Sequence, residues 1–370
     1  MSDTLPVDIS TSRLFEPTTF GKIELANRVV MAPLTRMRAG ERGTPGDLLV
    51  EYYRQRASVG MITTEGTYPS FDSQSYVGQP GIASDEQAAG WARVAEAVHA
   101  EGGKIVMQLM HGGRTSHPQL NGGRRVLAPS AIAVNGELHV GAEKLPYAVP
   151  EAMTAEEIKA SVADHVAAAR RAIDAGLDGV EIHSANGYLL HQFLAPGSNE
   201  RTDEYGGTPE DRARYVIEVV TAVAEAVGAD RVGLRISPAH NIQDAHEPDH
   251  DDVLATYGHL LEQLRPLGLA YLSVLYAEPA GDLVKELQQH FGGKLVVNGG
   301  FMAPAITAES AAKLLEAPFV DAVAVGRAVI ANPDLVARWR GGHPENEARP
   351  ELFYAFTAEG YTDYPFLTQS

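Results

Sequence analysis

Three side chains that could activate a carbonyl compound stand in one short segment of the sequence. His183 ends an apolar run, and Asn186 and Tyr188 follow shortly after it. If the chain turns helically there, His183 and Asn186 lie on one face and can both donate a hydrogen bond to a single oxygen. A carbonyl group held in this way is polarised, so that a conjugated alkene accepts hydride at its β-carbon while a phenol such as Tyr188 protonates the α-carbon. A lone histidine or tyrosine is usually structural, but the three together favour this chemistry.

Two further polar side chains interrupt apolar runs. Arg235 and Gln108 each lie within a run that is otherwise apolar. A buried cation is unfavourable unless it meets an anion, so Arg235 predicts either the pyrimidine edge of a reduced flavin or a structural ion pair with Glu181 or Asp178. Gln108 carries both a donor and an acceptor, which suits the same pyrimidine edge or a buried amide satisfied by the backbone. Both alternatives stay open.

These side chains need a scaffold in which several strand ends meet. Apolar runs rich in Val, Ile, Leu and Ala alternate with segments of 3.6-residue periodicity, which predicts parallel strands buried on both faces and connected by helices. Strands are predicted at 28–32, 60–64, 104–110, 178–183, 231–236, 270–274, 294–298 and 322–325. Helices are predicted at 84–100, 154–175, 209–227, 250–267 and 303–315. Eight such units predict an α/β fold, the (β/α)8 TIM barrel, and no Gly-x-Gly-x-x-Gly follows the first strand to favour a doubly wound sheet.

Glycines and an arginine follow the last two predicted strands. Gly299 and Gly300 come after the seventh strand, and Gly326 and Arg327 come after the eighth. Barrels commonly bind phosphate at these two positions, through backbone N–H groups, a short helix and a cation. The glycines could also serve only as tight turns. Their position favours a phosphate site.

One stretch departs from the alternation of strands and helices. Residues 112–150 are rich in Gly, Pro and Asn and are too long for an ordinary connection. They predict a lid inserted after the third strand, over the active site. No linker marks a second domain, so residues 1–370 are predicted to form a single TIM-barrel flavin-binding domain.

Composition and charge narrow the function further. The formal net charge of -18 argues against nucleic acid or an anionic membrane surface as a partner. There is no cysteine, which excludes thiolate catalysis, zinc-thiolate sites and iron-sulfur clusters, so redox chemistry needs an organic cofactor. Neither an export signal nor a membrane-spanning stretch is evident, and we expect a cytoplasmic protein.

The segment 181–207 resembles the Old Yellow Enzyme family. It begins Glu-Ile-His-Ser-Ala-Asn-Gly-Tyr and ends Glu-Tyr-Gly-Gly, and the resemblance extends from Leu-Phe-Glu-Pro at 14–17 to Gly-Tyr-Thr-Asp-Tyr-Pro at 360–365. At Thr35 the chain resembles the classical branch of the family, because a second branch carries a cysteine there. The resemblance implies a monomer or homodimer that binds FMN and uses NADPH to reduce small activated alkenes. Enones and enals are the implied substrates, with nitroalkenes and nitrate esters as further candidates.

The resemblance also implies which residues hold the cofactor. Thr35 would bind the flavin carbonyl beside the reactive nitrogen, and Gln108 and Arg235 would hold the pyrimidine edge. The other cofactor-binding residues would line the ring system or hold the phosphate: Pro33, Leu34, Gly66, Gly299, Gly300, Gly326, Arg327 and Phe353.

The substrate site is implied in the same way. Tyr188 would be the proton donor, and His183 and Asn186 would be catalytic through the substrate oxygen. The pocket would be lined by His183, Asn186, Tyr76, Met110 and Tyr354. Many classical members carry a tryptophan where this chain has Met110, so we expect a wider pocket here.

Two other classes of protein compete with this interpretation. A metal-dependent hydrolase could use His111, His183 and His191 as ligands, but no His-x-His follows the first strand and Arg235 would be unexplained. We therefore expect no metal site. A non-catalytic, flavin-free barrel is the second alternative, since fold alone does not determine function.

Overall fold

A computed structural model describes residues 9–141, 143–300 and 302–367. Within these ranges eight parallel strands form a closed barrel, in which each strand pairs with its neighbours along the chain and the eighth pairs with the first. The strands are β1 (Val29–Met31), β2 (Met61–Thr63), β3 (Ile105–Leu109), β4 (Gly179–Ser184), β5 (Val232–Ile236), β6 (Tyr271–Leu275), β7 (Leu295–Asn298) and β8 (Ala322–Val325). The predicted TIM barrel is confirmed.

Helices follow the strands and cover the barrel. They are α1 (Asp47–Gln55), α2 (Asp85–Ala100), α3 (Ala155–Asp174), α4 (Leu189–Leu194), α5 (Pro209–Val227), α6 (His250–Leu264), α7 (Asp282–Phe291), α8 (Ala308–Leu314), α9 (Arg327–Ala331) and α10 (Leu335–Gly341). Ser84, Thr154 and Thr208 begin α2, α3 and α5 by accepting a hydrogen bond from a backbone N–H of the first turn. None of the described helices is long and apolar enough to cross a membrane.

Two predicted helices are shorter in the structure. α8 begins only after Thr307, which accepts a hydrogen bond from the Ser310 N–H, so the prediction that it starts at residue 303 is wrong. α6 ends before Pro266, whose missing N–H cannot continue the helix, and a 3-10 turn takes over the predicted last residues.

A hairpin closes the amino end of the barrel. Its strands, Thr18–Phe20 and Ile23–Leu25, pair antiparallel, and the Lys22 N–H donates to the carbonyl of Asp230 just before β5. The buried Phe20 side chain belongs to an apolar cluster inside the barrel. The same cluster contains Val30, Met61, Val106, Tyr271, Val296, Ala322 and Ala324. Apolar burial therefore seals this end of the barrel.

The long insertion lies after β3, as its position in the sequence requires. It carries an antiparallel hairpin of Glu137–Val140 and Glu143–Pro146, which we call the lid hairpin. The insertion is tied to the loop after β5, because the Arg114 guanidinium donates to the carbonyl of Gln243 at 3.0 Å. The loops after β3 and β5 thus support each other at the carboxyl end of the barrel.

Candidate active site

A cavity of about 780 Å³ lies at the carboxyl end of the barrel. The loops after β1, β4, β5, β7 and β8 line it, together with the lid hairpin and the C-terminal segment. The predicted site residues on its wall are Pro33, Leu34, Thr35, Tyr76, Asn186, Tyr188, Arg235, Gly300, Gly326, Arg327, Phe353 and Tyr354. The predicted site residues that do not border it are Gly66, Gln108, Met110, His183 and Gly299. The cavity therefore brings together candidates from both the cofactor and the substrate groups.

His183 lies on β4 just behind this wall. It is buried, and its register partner on β5 is Arg235. Burial and the positive charge of Arg235 hold the pKa of His183 well below its ordinary value, so the imidazole is neutral. Its Nδ1 has no hydrogen-bond partner among the described residues. The ring is therefore free to bind a polar ligand atom.

Asn186 occupies the turn that follows β4. Its backbone is left-handed, with φ of 57°, a conformation that asparagine tolerates better than most residues. The turn is held by the Asn186 N–H, which donates to the Ser237 Oγ at 2.8 Å, and by the Gln243 side chain, which donates to the Asn186 carbonyl at 3.0 Å. The Oδ1 of Asn186 has no partner within the described residues. The backbone is thus fixed while the side-chain amide stays available.

Tyr188 and Tyr76 form a pair of phenols at the edge of the cavity. Their hydroxyl groups are hydrogen-bonded to each other. The centroid of the Tyr188 ring also lies 5.2 Å from the centroid of the His183 ring. Burial raises the pKa of Tyr188, while hydrogen bonds from Tyr76 and Gln243 oppose that rise. The Tyr188 phenol is therefore protonated at neutral pH, and its oxygen has neighbours that would stabilise it after loss of the proton.

The loop after β1 is shaped by a buried carboxylate. Glu65 accepts hydrogen bonds from the backbone N–H groups of Arg36 at 3.0 Å and Met37 at 3.3 Å. Met37 has a positive φ of 60°, which is unusual for a residue with a long side chain. The loop carries Thr35 on the cavity wall, so Glu65 fixes the backbone next to that residue.

The loops after β7 and β8 meet at one side of the cavity. The Gly300 N–H donates to the Asn298 Oδ1 at 2.7 Å, and Gly300 has a positive φ of 81°, which favours glycine. Gly326 precedes α9, whose first residue is Arg327. Arg327 donates to the carbonyl of Ala303 and makes no ion pair among the described residues. Its charge is therefore available to an anion such as a phosphate.

A polar network occupies the barrel interior beneath the cavity. The Gln108 Nε2 donates to Glu181 at 2.8 Å, and the Tyr271 hydroxyl donates to the other oxygen of the same carboxylate at 3.0 Å. The Arg235 Nη1 donates to the Ser273 Oγ at 2.9 Å. The charges of Arg235 and Glu181 stabilise each other, although burial lowers the pKa of Arg235 and raises that of Glu181.

The other acid considered for Arg235 lies elsewhere. Asp178 directly precedes β4 and pairs with Lys104 at 3.2 Å and with His99 at 2.9 Å. Of the two acids, Glu181 is therefore the one whose charge opposes the lowering of the Arg235 pKa by burial, although the two side chains form no direct ion pair within 4 Å. The Nε of Arg235 still has no hydrogen-bond partner in the described part of the chain, and Arg235 borders the cavity.

The histidines considered as metal ligands have other contacts. The His191 Nδ1 accepts from the Gly187 N–H at 2.8 Å, and its Nε2 lies 3.3 Å from a Glu247 oxygen. His111 stacks on His165 with ring centroids 6.4 Å apart. Over residues 9–141, 143–300 and 302–367, no group of three or more His, Cys, Asp or Glu side chains is arranged to hold a metal ion.

Some residues of the site were not predicted. Gln243 contacts the Asn186 turn, Asn298 holds Gly300, and Leu138 of the lid hairpin borders the cavity. Asn298 ends a predicted strand, which was a usable signal. Gln243 and Leu138 lie in long loops, where no periodic pattern indicates which side chain faces the cavity.

Comparisons with known proteins find relatives over nearly the whole chain. The family model described as "NADH:flavin oxidoreductase / NADH oxidase family" matches residues 13–346. A "Probable flavin mononucleotide-dependent alkene reductase" of Leishmania infantum is 42% identical over 363 residues, which cover 96% of this chain and 97% of that protein.

Two solved structures have the same fold. Morphinone reductase in complex with tetrahydroNAD superposes with a TM-score of 0.89 at 43% identity, covering 96% of this chain and 98% of the other. The old yellow enzyme homologue from Zymomonas mobilis superposes with a TM-score of 0.90 at 37% identity, covering 96% of this chain and 99% of the other.

Proposed function

The chain belongs to the NADH:flavin oxidoreductase / NADH oxidase family, the Old Yellow Enzyme family, as an FMN-dependent alkene reductase, and we propose that FMN and the alkene meet in the cavity at the carboxyl end of its barrel. A nicotinamide coenzyme is the reductant. One observation carries the proposed site: polar atoms of Arg235, Asn186 and His183 that have no partner in the described protein gather at or just behind one cavity wall. Buried polar groups are normally paired, so these atoms indicate a missing ligand.

The residues around the cavity fit FMN. Arg235 on the cavity wall offers a cation for the pyrimidine edge, and Thr35 lies on the wall where it can bind the ring system. Gln108 does not border the cavity, but its amide oxygen is not engaged by the bond that its NH2 group makes to Glu181. Gly300 and Arg327 lie together on the side formed by the loops after β7 and β8, where barrels bind phosphate. The apolar residues Pro33, Leu34 and Phe353 offer surface for the rings.

FMN bound in this cavity would supply the hydride chemistry that links the coenzyme to the β-carbon of the alkene. The protein orients and polarises the substrate. We propose that His183 and Asn186 hold the carbonyl oxygen, where two hydrogen bonds stabilise the negative charge that develops there. The neutral imidazole of His183 suits this role because it can donate a hydrogen bond without carrying a charge of its own.

Tyr188 provides the proton. Its phenol is protonated at neutral pH and lies on the cavity wall, so it can protonate the α-carbon as hydride reaches the β-carbon. Tyr76 and Gln243 stabilise the resulting phenolate through their hydrogen bonds to the Tyr188 oxygen. Tyr76 therefore supports the proton donor as well as lining the pocket.

The remaining features are proposed from the family resemblance. We propose NADPH as the preferred coenzyme, enones and enals as substrates, and one flavin-binding domain spanning the chain. We also propose a monomer or homodimer that works in the cytoplasm. Comparing kcat/KM for NADPH and NADH tests the coenzyme preference, and light scattering and cell fractionation test the last two statements.

An anaerobic spectral titration tests the proposed function. The purified protein is loaded with FMN and its visible flavin band is followed while NADPH and then 2-cyclohexenone are added. We expect NADPH to bleach the band and the enone to restore it. A protein that bleaches without recovering would exclude simple enones as acceptors, and a protein that binds no FMN would overturn the proposal.

A further inference from the structure

Glu181 is a buried carboxyl group that the chemistry described above does not use. It lies on β4 two residues before His183, so both side chains point to the same face of the strand, towards the barrel interior. Only 1% of Glu181 is exposed, and its two oxygens accept hydrogen bonds from Gln108 at 2.8 Å and Tyr271 at 3.0 Å. A buried carboxylate is costly, so two well-formed hydrogen bonds and a nearby cation indicate a role for the charge.

The first consequence concerns the direction of the Gln108 amide. An ionised carboxylate can only accept hydrogen bonds, so Glu181 binds the NH2 group of Gln108 and not its carbonyl. The Gln108 carbonyl oxygen is thereby left available as an acceptor. The pyrimidine ring of a flavin carries an N3–H donor that such an oxygen can bind.

The second consequence concerns the charge of Arg235. This guanidinium is buried and donates to Ser273, but its Nε has no partner among the described residues. Glu181 is the acid whose charge stabilises it. Without Glu181, Arg235 would be an uncompensated cation directly beside the cavity.

We propose that Glu181 is a positioning residue of the flavin site that orients Gln108, offsets the charge of Arg235 and so lowers the reduction potential of bound FMN. The inference rests on the proposed function, because it requires the pyrimidine edge to lie at Gln108 and Arg235. Reduction adds negative charge to the cofactor, so a fixed negative charge nearby disfavours the reduced form. A lower potential makes the bound cofactor a stronger hydride donor to the alkene.

The test is the reduction potential of FMN bound to Glu181→Gln, measured by anaerobic equilibration with a reference dye. The substitution keeps the shape of the side chain and removes its charge. We expect reduced FMN to gain at least about tenfold in affinity relative to oxidised FMN, which corresponds to an upward shift of about 30 mV for a two-electron couple. An unchanged or lower potential would overturn the proposal.

Glu247→Gln is the matched control. Glu247 is also buried, and it accepts hydrogen bonds from Tyr257 at 2.9 Å and from the Ala239 N–H, but it contacts neither Gln108 nor Arg235. We expect it to lower stability while changing the affinity ratio less than threefold. A shift equal to that of Glu181→Gln would show a nonspecific effect of losing a buried charge and would overturn the proposal.

A second pair of variants covers the case in which Glu181→Gln does not fold because Arg235 is left without a counter-charge. Arg235→Gln and the double variant with Glu181→Gln contain no such uncompensated cation, and the proposal requires the higher potential in the double variant. A lower or equal potential in the double variant would contradict it. If the unmodified protein binds no FMN, the proposed function fails; if FMN binds and the potentials do not move, only this inference fails.

Discussion

At the amino end of the barrel, the hairpin residues Phe20, Ile23 and Leu25 are buried in an apolar cluster. At the carboxyl end, by contrast, the interior presents Arg235, Asn186 and Tyr188 to a cavity. The first end has its apolar surface covered. The second end keeps buried polar atoms without partners, which costs stability in the absence of a ligand. In one closed sheet, the amino end thus stabilises the fold and the carboxyl end offers polar side chains to a ligand.

The same strands contribute to both ends. β5 begins beside the hairpin, where Lys22 bonds the carbonyl of Asp230, and reaches the cavity through Arg235. A substitution at either end therefore acts on one continuous structure. Its effects on the fold and on the reaction can be distinguished only if the free energy of unfolding and the reaction rates are both measured.

The largest effect is expected from Tyr188→Phe. Loss of the general acid should slow reoxidation of the flavin by the enone by about 10²- to 10⁴-fold, while reduction by NADPH changes little, because only the alkene step needs the proton. Anaerobic stopped-flow spectroscopy measures the two half-reactions separately. Equal slowing of both would show that Tyr188 is not the proton donor.

Phe20→Ala should separate stability from chemistry at the opposite end. Removing this buried ring is expected to lower the free energy of unfolding by about 3–5 kcal/mol, since a cavity remains inside the barrel. Urea denaturation gives the stability, and stopped-flow measurements below the transition give the half-reactions. If the variant is as stable as the parent, Phe20 does not stabilise the fold. If alkene reduction slows as much as in Tyr188→Phe, the amino end also contributes to the chemistry.

Asn186→Asp tests the oxygen-binding pair. Aspartate keeps the size of the side chain and tolerates the left-handed turn, but it loses the NH2 donors, so kcat/KM for the enone should fall by about 10²- to 10³-fold. Ser237→Ala is the control, because Ser237 bonds only the Asn186 backbone N–H in this turn and should cost less. If both variants lose the same activity, the loss comes from the turn and not from the side-chain donor.

The smallest effect is expected from pH, through Glu65. Burial raises the pKa of Glu65 to about 7, so the folded protein holds this proton more tightly than the unfolded chain does. Its contribution to stability is present below the ordinary carboxyl pKa and is lost as the pH rises towards 7, at about 1.4 kcal/mol for each pH unit between the unfolded and folded pKa. Glu65→Gln should flatten this decline between pH 5 and 8 in urea denaturation. Identical pH profiles of the variant and the parent would show that Glu65 does not titrate in this way.

The barrel strands could be predicted because each is a short, mainly apolar run between longer segments, and every predicted boundary lies within one residue of the observed one. The hairpin at the amino end was not predicted, since its three-residue strands have no pattern of their own and form only against the barrel. α1 and α7 were also missed. Each follows a glycine that makes no side-chain capping bond, so the usual start signal is absent.

The candidate site was predictable where its residues stand at strand ends. His183, Asn186 and Arg235 occupy such positions, and the barrel geometry brings them together. Gln243 was not predictable, because its place depends on the path of a loop with several left-handed residues. The role of Glu65 could not be predicted for another reason. It accepts hydrogen bonds from backbone N–H groups, which almost every residue has, so no sequence pattern indicates the contact.

We expect FMN to bind at the polar end of the barrel with its pyrimidine edge at Gln108 and Arg235. A crystal structure of the protein loaded with FMN tests this expectation directly. We predict electron density for the phosphate beside Gly300 and Arg327 and for the pyrimidine ring beside Arg235. Density for FMN outside this cavity, or with its phosphate and ring ends exchanged, would show that FMN does not bind in this way.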